Sequence, residues 1–175
     1  MRPSHTTFLN DMHWPQQTIS ALNKFYGNPV GKNGQVNHQW EKASLILVPV
    51  PYSMVLAWDA TKLVRSILIH KKCANSLSTI LKAILAEYGS QTALAAAGLE
   101  LFGGSFTYRR IEGSHRLSTH AWGAAIDLDP EHNAMGSRKW SIPTDVVSIF
   151  EAQGWTWGGR WKNRPDPMHF QAAYV

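Results

Sequence analysis

The sequence predicts an α+β fold in which helices pack on a small central antiparallel sheet. Amphipathic helical patterns and β-rich segments follow one another without the regular strand–helix–strand alternation of a parallel sheet. The chain has 175 residues, of which 44% are hydrophobic, the size and composition of one compact domain. No repeat, linker or low-complexity tract divides it. We therefore expect a single domain that spans residues 1–175.

The first half of the chain predicts one helix followed by strands. Apolar residues recur at helical spacing over 18–26, and a Gly-Asn-Pro stop follows them, which predicts a short helix. The Gly-, Asn- and Gln-rich stretch 30–41 predicts a loop. Three β-rich segments separated by turn residues predict strands over 44–48, 54–58 and 64–70.

The second half of the chain predicts three helices and three more strands. One face of 75–88 carries a row of Leu and Ile residues and Gly89 follows it, which predicts a strongly amphipathic helix. Shorter helices are expected over 92–97 and 143–153. Alternating or apolar segments predict strands over 105–111, 124–128 and 168–172.

The cysteine content and the net charge limit the kinds of site and partner that this protein can have. The single cysteine, Cys73, excludes an intramolecular disulfide and a multi-thiolate zinc site, and it argues against a redox function. The net charge of +5 predicts attraction to an anionic partner, either nucleic acid, a membrane surface or an acidic cell-wall polymer. No run of Lys or Arg is longer than two residues and no nucleic-acid-binding motif is present, so nucleic acid is not the expected partner.

The sequence contains no recognisable targeting or membrane segment. Residues 1–17 carry one Arg and no apolar stretch, so they lack the charged-then-hydrophobic order of a secretory signal, and we expect synthesis in the cytoplasm. The most apolar run, 45–50, is far shorter than the ~20 residues that span a bilayer. No transmembrane segment is therefore expected.

Two segments in the C-terminal half contain residue types that bind metals. The first contains His120 and Asp127, and the second contains Asp166 and His169. Zinc in a hydrolase typically takes three protein ligands from His and Asp or Glu and keeps a fourth position for water, so His120, Asp127 and His169 would suffice. Asp166 then remains as a base that takes a proton from the attacking water and passes it to the leaving amine.

The local sequence indicates how these side chains meet. His120 and Asp127 are seven residues apart, positions that point to opposite faces of a straight strand, so the chain must bend between them. Gly123 is the expected bend. Prolines on both sides of Asp166 predict a rigid approach to the last strand.

Three motifs carry a family resemblance. They are SxHxxGxAxD at 118–127, WGGxW at 157–161 and DPMHF at 166–170. Together they closely resemble the zinc peptidases of bacterial cell walls, namely the D-alanyl-D-alanine carboxypeptidase family and its L-alanyl-D-glutamate endopeptidase branch, which includes phage endolysins. Shorter similarities extend through the rest of the chain, at 14–15, 25–29 and 103–109. The fold that this resemblance implies is the small α+β zinc domain shared with hedgehog signalling domains.

The resemblance implies a role for each matching residue. His120, Asp127 and His169 resemble the zinc ligands. Asp166 resembles the catalytic base, a place often held by Glu in the carboxypeptidase branch. Arg109 matches an arginine that contacts a carbonyl or carboxylate oxygen of the substrate, for which a guanidinium is well shaped.

Other residues in or near the motifs have less defined expectations. Ser118 either hydrogen-bonds substrate or a ligand, or shapes the loop. The motif tryptophans Trp122, Trp157 and Trp161 are expected to wall the cleft against the substrate, with positioning of the Asp166 loop as the alternative role of Trp157. His115 and Arg116 are expected at the edge of the cleft. His132 is expected to be a solvated loop histidine rather than an additional metal ligand.

The function implied by the resemblance is a zinc metallopeptidase that hydrolyses peptidoglycan stem peptides. The L-Ala–D-Glu bond is the expected target, because the Gly-Gly strand, WGGxW and DPMHF resemble the endopeptidase branch more. A D-Ala-D-Ala carboxypeptidase of wall turnover and a catalytically silent zinc-holding module remain alternatives. We expect a monomer without a separate wall-binding domain that acts on the wall after release, in phage or prophage lysis. Its positive charge would hold it to an acidic wall or outer-membrane surface.

Overall fold

The computed structural model describes residues 13–175. The expectation of a missing secretory signal therefore rests mainly on residues outside the described part. Within 13–175 the chain forms helices and strands in mixed order, which confirms the α+β class. No helix in this range has the length and apolar character needed to cross a bilayer.

The described residues form five α-helices and three short 3-10 helices. The α-helices are α1 Ile19–Tyr26, α2 His38–Ser44, α3 Ala74–Tyr88, α4 Gln91–Ala96 and α5 Thr144–Ala152. The 3-10 helices are Lys32–Gly34, Thr119–Trp122 and Gly158–Arg160. Four of the α-helices, α1, α3, α4 and α5, confirm the helices expected from the apolar periodicity.

Between residues 13 and 175, eight strands form two sheets. The strands are β1 Leu45–Pro49, β2 Val55–Leu56, β3 Asp59–Leu63, β4 Ser66–His70, β5 Leu101–Gly104, β6 Ala125–Leu128, β7 Thr156–Trp157 and β8 His169–Gln171. β1 and β4 pair as an antiparallel ribbon, and the others form a sheet of order β3-β2-β5-β6-β8-β7. All pairs in this sheet are antiparallel except β2 with β5, which is parallel.

The prediction of a strand over 105–111 is wrong. The strand that pairs with β6 is β5, one segment earlier, and the chain after it is irregular as far as an isolated bridge between Arg110 and Leu117. Glycine explains the shift: a Cβ at Gly103 would lie 3.0 Å from the Cβ of Asp127, so the Gly-Gly pair permits close pairing with β6. Gly104 then leaves the strand at φ +131.

The segment 30–41, which was expected to be a loop, contains the start of α2, and the composition of the segment gave no indication of this helix. The side chain of Asn37 accepts hydrogen bonds from the backbone N–H groups of Gln39 and Trp40, at 3.2 and 3.1 Å. The indole of Trp40 donates to the carbonyl oxygen of Tyr26 at 2.8 Å. A polar cap and one tertiary contact therefore stabilise α2, although its sequence has no continuous apolar face.

The core holds β6 and β8 in fixed positions. α3 contributes Leu77, Ile80, Leu81 and Ile84, all with no solvent exposure, and each such burial stabilises the fold by about 1.5 to 3 kcal/mol. Behind β8, the ring of Phe150 from α5 stacks on Phe170 with centroids 3.9 Å apart. All four residues of β6 are buried. Side chains on these two central strands are therefore anchored by a packed backbone.

Candidate metal centre

Two neighbouring strands and one short helix bring three potential ligands together. Asp127 on β6 lies directly opposite His169 on β8 in the antiparallel register. His120 comes from the 3-10 helix Thr119–Trp122, and Gly123 adopts the left-handed conformation, φ 61°, that turns the chain into β6. A Cβ at Gly123 would lie 2.7 Å from the side chain of Leu45, so this bend also requires glycine sterically.

The three side chains form a compact triangle. Nε2 of His120 lies 3.2 Å from Oδ1 of Asp127 and 3.1 Å from Nδ1 of His169, and the latter two atoms are 3.0 Å apart. Tetrahedral ligands about 2.0 to 2.1 Å from zinc are separated by roughly 3.3 Å. This buried His-Asp-His group could therefore hold a metal ion with little rearrangement, and its N and O donors suit zinc.

Each histidine has a hydrogen bond that turns one nitrogen away from the triangle. Nδ1 of His120 is bonded to the backbone carbonyl of Ser105, which leaves Nε2 directed at Asp127. Nε2 of His169 lies 3.0 Å from Oε1 of Gln171, which leaves Nδ1 directed at the same carboxylate. The two rings therefore present opposite nitrogens to the candidate site, and hydrogen bonds on the other nitrogen fix both orientations.

Electrostatics favour the ionised form of the central carboxylate. Burial raises the pKa of Asp127, but His120 and His169 outweigh burial and hold that pKa well below its usual range. Burial lowers the pKa of His169, whereas its hydrogen bond to Asp127 and the charge of that residue raise it above the usual value. At neutral pH Asp127 is therefore a carboxylate, the form required of a metal ligand.

Asp166 is a second buried acid, beside the triangle but outside it. Its side chain is only slightly exposed, and Oδ1 has no hydrogen-bond partner among residues 13–175. Burial raises the pKa of its carboxyl above the usual value, against the opposing effect of His169. A buried carboxylate oxygen without a partner is costly for the fold, so such groups are often functional.

Gly158 allows the Asp166 loop to pack against the 3-10 helix Gly158–Arg160. The backbone N–H of Asp166 donates to the carbonyl of Gly158 at 2.9 Å. A Cβ at position 158 would lie 2.5 Å from the carbonyl oxygen of Asp166 and 3.1 Å from its Cβ. The loop that carries the acid therefore has no room for a side chain at Gly158.

Gly158→Ala is expected to reduce the free energy of unfolding by roughly 1 to 3 kcal/mol, because the methyl group overlaps backbone that cannot move freely. Urea unfolding measures the loss. Wild-type stability in Gly158→Ala would contradict this packing argument.

A cleft opens beside the triangle. Its volume is about 160 Å³, and His169, Asp166, Thr119, Ser118, Trp161 and Arg109 are among the residues that line it. Arg109 is exposed, and its charge acts on the pKa of Asp166. Ser118 is buried, and its hydroxyl accepts a hydrogen bond from the backbone N–H of His120. The structure therefore places Arg109 and Ser118 at the cleft, with Ser118 also capping the short helix.

Trp122 does not line the cleft, contrary to the expectation from the sequence. Its side chain has no solvent exposure, and its indole N–H donates to Oδ1 of Asn23 and the carbonyl of Gly27, at 3.0 and 3.1 Å. Trp122 therefore lies in the core, hydrogen-bonded to α1 and to the residue that follows it. A fully buried indole cannot contact substrate, so the expectation for Trp122 is corrected.

The remaining histidine and arginine candidates lie outside the triangle. His115 and Arg116 are exposed, and the guanidinium of Arg116 donates to the carbonyl of Gln17, a residue of the cleft, at 2.8 Å. His132 is exposed and its Nδ1 lies 2.8 Å from Oδ1 of Asp129. His132 is therefore separate from the three residues of the triangle.

Trp161 lines the cleft, as expected from the sequence, whereas two other site residues, Thr119 and Gln171, were not assigned from the sequence. The Trp161 ring lies against His169 with centroids 5.4 Å apart. Thr119 and Gln171 are fully or almost fully buried. The Thr119 hydroxyl lies 3.3 Å from Nε2 of His169, and the side-chain oxygen of Gln171 lies 3.0 Å from the same nitrogen. One signal was available for Gln171: it follows His169 by two positions, and residues two apart on a strand share a face.

The comparison with protein families matches the segment that carries this site. Residues 112–172 match the family model described as D-alanyl-D-alanine carboxypeptidase. The match confirms the resemblance seen in the motifs and supports a zinc metallopeptidase that acts on peptidoglycan peptides. No curated protein and no solved structure matched the chain.

Proposed function

We propose that the protein is a zinc-dependent peptidase of the endolysin type that hydrolyses peptidoglycan stem peptides, with the L-Ala–D-Glu bond as its target. One observation carries the proposal: a buried His-Asp-His triangle of tetrahedral dimensions lies beside a cleft lined by His169 and Asp166, and Oδ1 of Asp166 has no hydrogen-bond partner among residues 13–175. In this proposal His120, Asp127 and His169 would hold the metal, which would keep a further coordination position for water.

The proposed chemistry divides between the metal and the protein. When bound, zinc would act as a Lewis acid that polarises the carbonyl of the scissile bond and lowers the pKa of the attacking water. The carboxylate of Asp166 takes a proton from the attacking water and delivers it to the nitrogen of the leaving amine. Its burial beside the cleft supports this role, because water is excluded from most of its surface and its raised pKa favours proton uptake.

The substrate class is supported by charge. Stem peptides carry carboxylates, and the exposed Arg109 and Arg164 both line the cleft. The net charge of +5 would also draw the protein to an acidic wall or outer-membrane surface. We propose that the chain works as a monomeric single domain, and that it lyses the wall in a phage or prophage context.

A D-Ala-D-Ala carboxypeptidase is the second candidate, favoured by the description of the matching family model. Digestion of purified peptidoglycan followed by mass spectrometry separates the two functions. An endopeptidase leaves L-Ala on the muramic acid and exposes the amino group of D-Glu, whereas a carboxypeptidase releases free D-Ala. Release of D-Ala alone would exclude the proposed bond, and no product of either kind would favour a silent zinc-holding module.

Arg109→Lys is expected to lower kcat/KM on stem peptides by about 30-fold or more, because lysine keeps the charge but loses the planar two-pronged contact with an oxygen. Steady-state kinetics measure the change. The neighbouring Arg110→Lys is the matched control, since the Arg110 guanidinium is bonded to the carbonyl of His115 rather than directed at the cleft. Full activity in Arg109→Lys would make Arg109 peripheral to the substrate.

A further inference from the structure

We propose that Gln171 is a positioning residue: its side-chain oxygen accepts the Nε2 proton of His169 and thereby selects Nδ1 as the metal-binding atom of that histidine. The inference rests on the proposed zinc site and concerns its assembly rather than the reaction. Gln171 lies on β8 two residues after His169 and has no solvent exposure. Its side chain therefore lies on the same face of β8 as His169 and contacts the ring nitrogen that points away from the triangle.

The orientation of the Gln171 amide is set by its other partners. Its nitrogen donates to the backbone carbonyl of Ala173 at 3.2 Å. The hydroxyl of Thr119 donates to its oxygen at 3.1 Å. Because the nitrogen is engaged with a carbonyl, the oxygen is the atom that faces His169, 3.0 Å from Nε2.

A fixed amide oxygen decides the tautomer of the imidazole. A neutral histidine carries one ring proton, and an acceptor at Nε2 requires that the proton be there. Nδ1 is then left with a free lone pair, directed at Oδ1 of Asp127 and Nε2 of His120. The opposite tautomer would place a proton inside the triangle and leave two acceptors facing each other at 3.0 Å.

The network is suited to hold the ring as well as to choose its tautomer. Thr119 is adjacent to His120 in the same 3-10 helix, and its hydroxyl lies 3.3 Å from Nε2 of His169. Thr119 and Gln171 therefore link the helix that carries one candidate ligand to the strand that carries another. Outer hydrogen bonds of this kind typically change metal affinity by 10- to 100-fold when removed.

The first test measures zinc affinity by competition with a chromophoric chelator. Gln171→Leu is expected to weaken zinc binding by about 10- to 100-fold. Equal affinity in the wild type and a folded Gln171→Leu variant would overturn the proposal.

The second test needs no substitution. Nitrogen-15 NMR of the zinc-loaded wild-type protein is expected to report a protonated Nε2 and a metal-bound Nδ1 for His169, and a protonated Nδ1 for His120. A proton on Nδ1 of His169 would overturn the proposal even if Gln171→Leu failed to fold. The outcome is separable from the proposed function: a protein that binds zinc in this way but leaves peptidoglycan intact would refute the function alone.

Discussion

Replacing Asp166 with Asn is expected to leave zinc binding intact and to reduce peptidoglycan hydrolysis by two or more orders of magnitude. Asparagine has nearly the same shape but cannot accept a proton, and loss of general acid–base help typically costs about 10²- to 10⁴-fold in rate. The unpaired Oδ1 and the raised pKa of the Asp166 carboxyl are the observations behind this expectation. Turbidity loss of a wall suspension measures the rate, and elemental analysis measures the zinc.

Glu131→Gln is the matched control for Asp166→Asn. Glu131 is exposed and lies outside the cleft, so the same loss of an ionisable oxygen should leave hydrolysis near the wild-type rate. Near-normal lysis by Asp166→Asn would move the role of base to another acid. Glu112, which is paired with Arg164 at the rim of the cleft, would then be the next residue to test.

Replacing His120 with Ala is expected to abolish zinc binding and to lower hydrolysis to the background rate. The substitution removes Nε2 from a triangle whose other corners lie 3.1 and 3.2 Å away, and two protein ligands cannot complete the three-ligand set of a catalytic zinc site. Metal content per protein is measured by elemental analysis. Asp166→Ala should retain about one zinc in the same assay, because Asp166 is not part of the triangle.

His132→Ala is the matched control for His120→Ala. His132 also contacts a carboxylate, that of Asp129 at 2.8 Å, but it is exposed and separate from the triangle. Its loss should leave the zinc content unchanged. A protein that kept its full zinc content after replacement of both His120 and His169 would refute the ligand assignment.

The fold was predictable wherever a local pattern determines structure. The apolar spacing of α1 and α3 and the glycine that follows each helix lie within single segments, so periodicity and the stop residues were sufficient to find both helices. α2 was missed because it depends on the contact between Trp40 and the carbonyl of Tyr26, which periodicity does not register. The position of β5 was wrong because glycine usually weakens a strand, whereas here it permits close pairing with β6.

The site was predictable as a set of residues but not as an arrangement. The motifs identified His120, Asp127, Asp166 and His169, and the structure brings them together. The direction of a side chain next to a turn is not encoded in a motif, so Trp122 was expected in the cleft and lies in the core. Hydrogen bonds behind the ligands depend on register between strands, and single-sequence reasoning therefore passed over the Gln171 amide.

The most direct test of the account is zinc-dependent hydrolysis by the wild-type protein. Metal is removed with a chelator, the apoprotein is returned to chelator-free buffer, and purified peptidoglycan is digested while zinc is added stepwise. The account predicts no fragments without metal, full activity after about one equivalent of zinc, and fragment masses that correspond to cleavage between L-Ala and D-Glu. Hydrolysis at the full rate by the metal-free protein would contradict it.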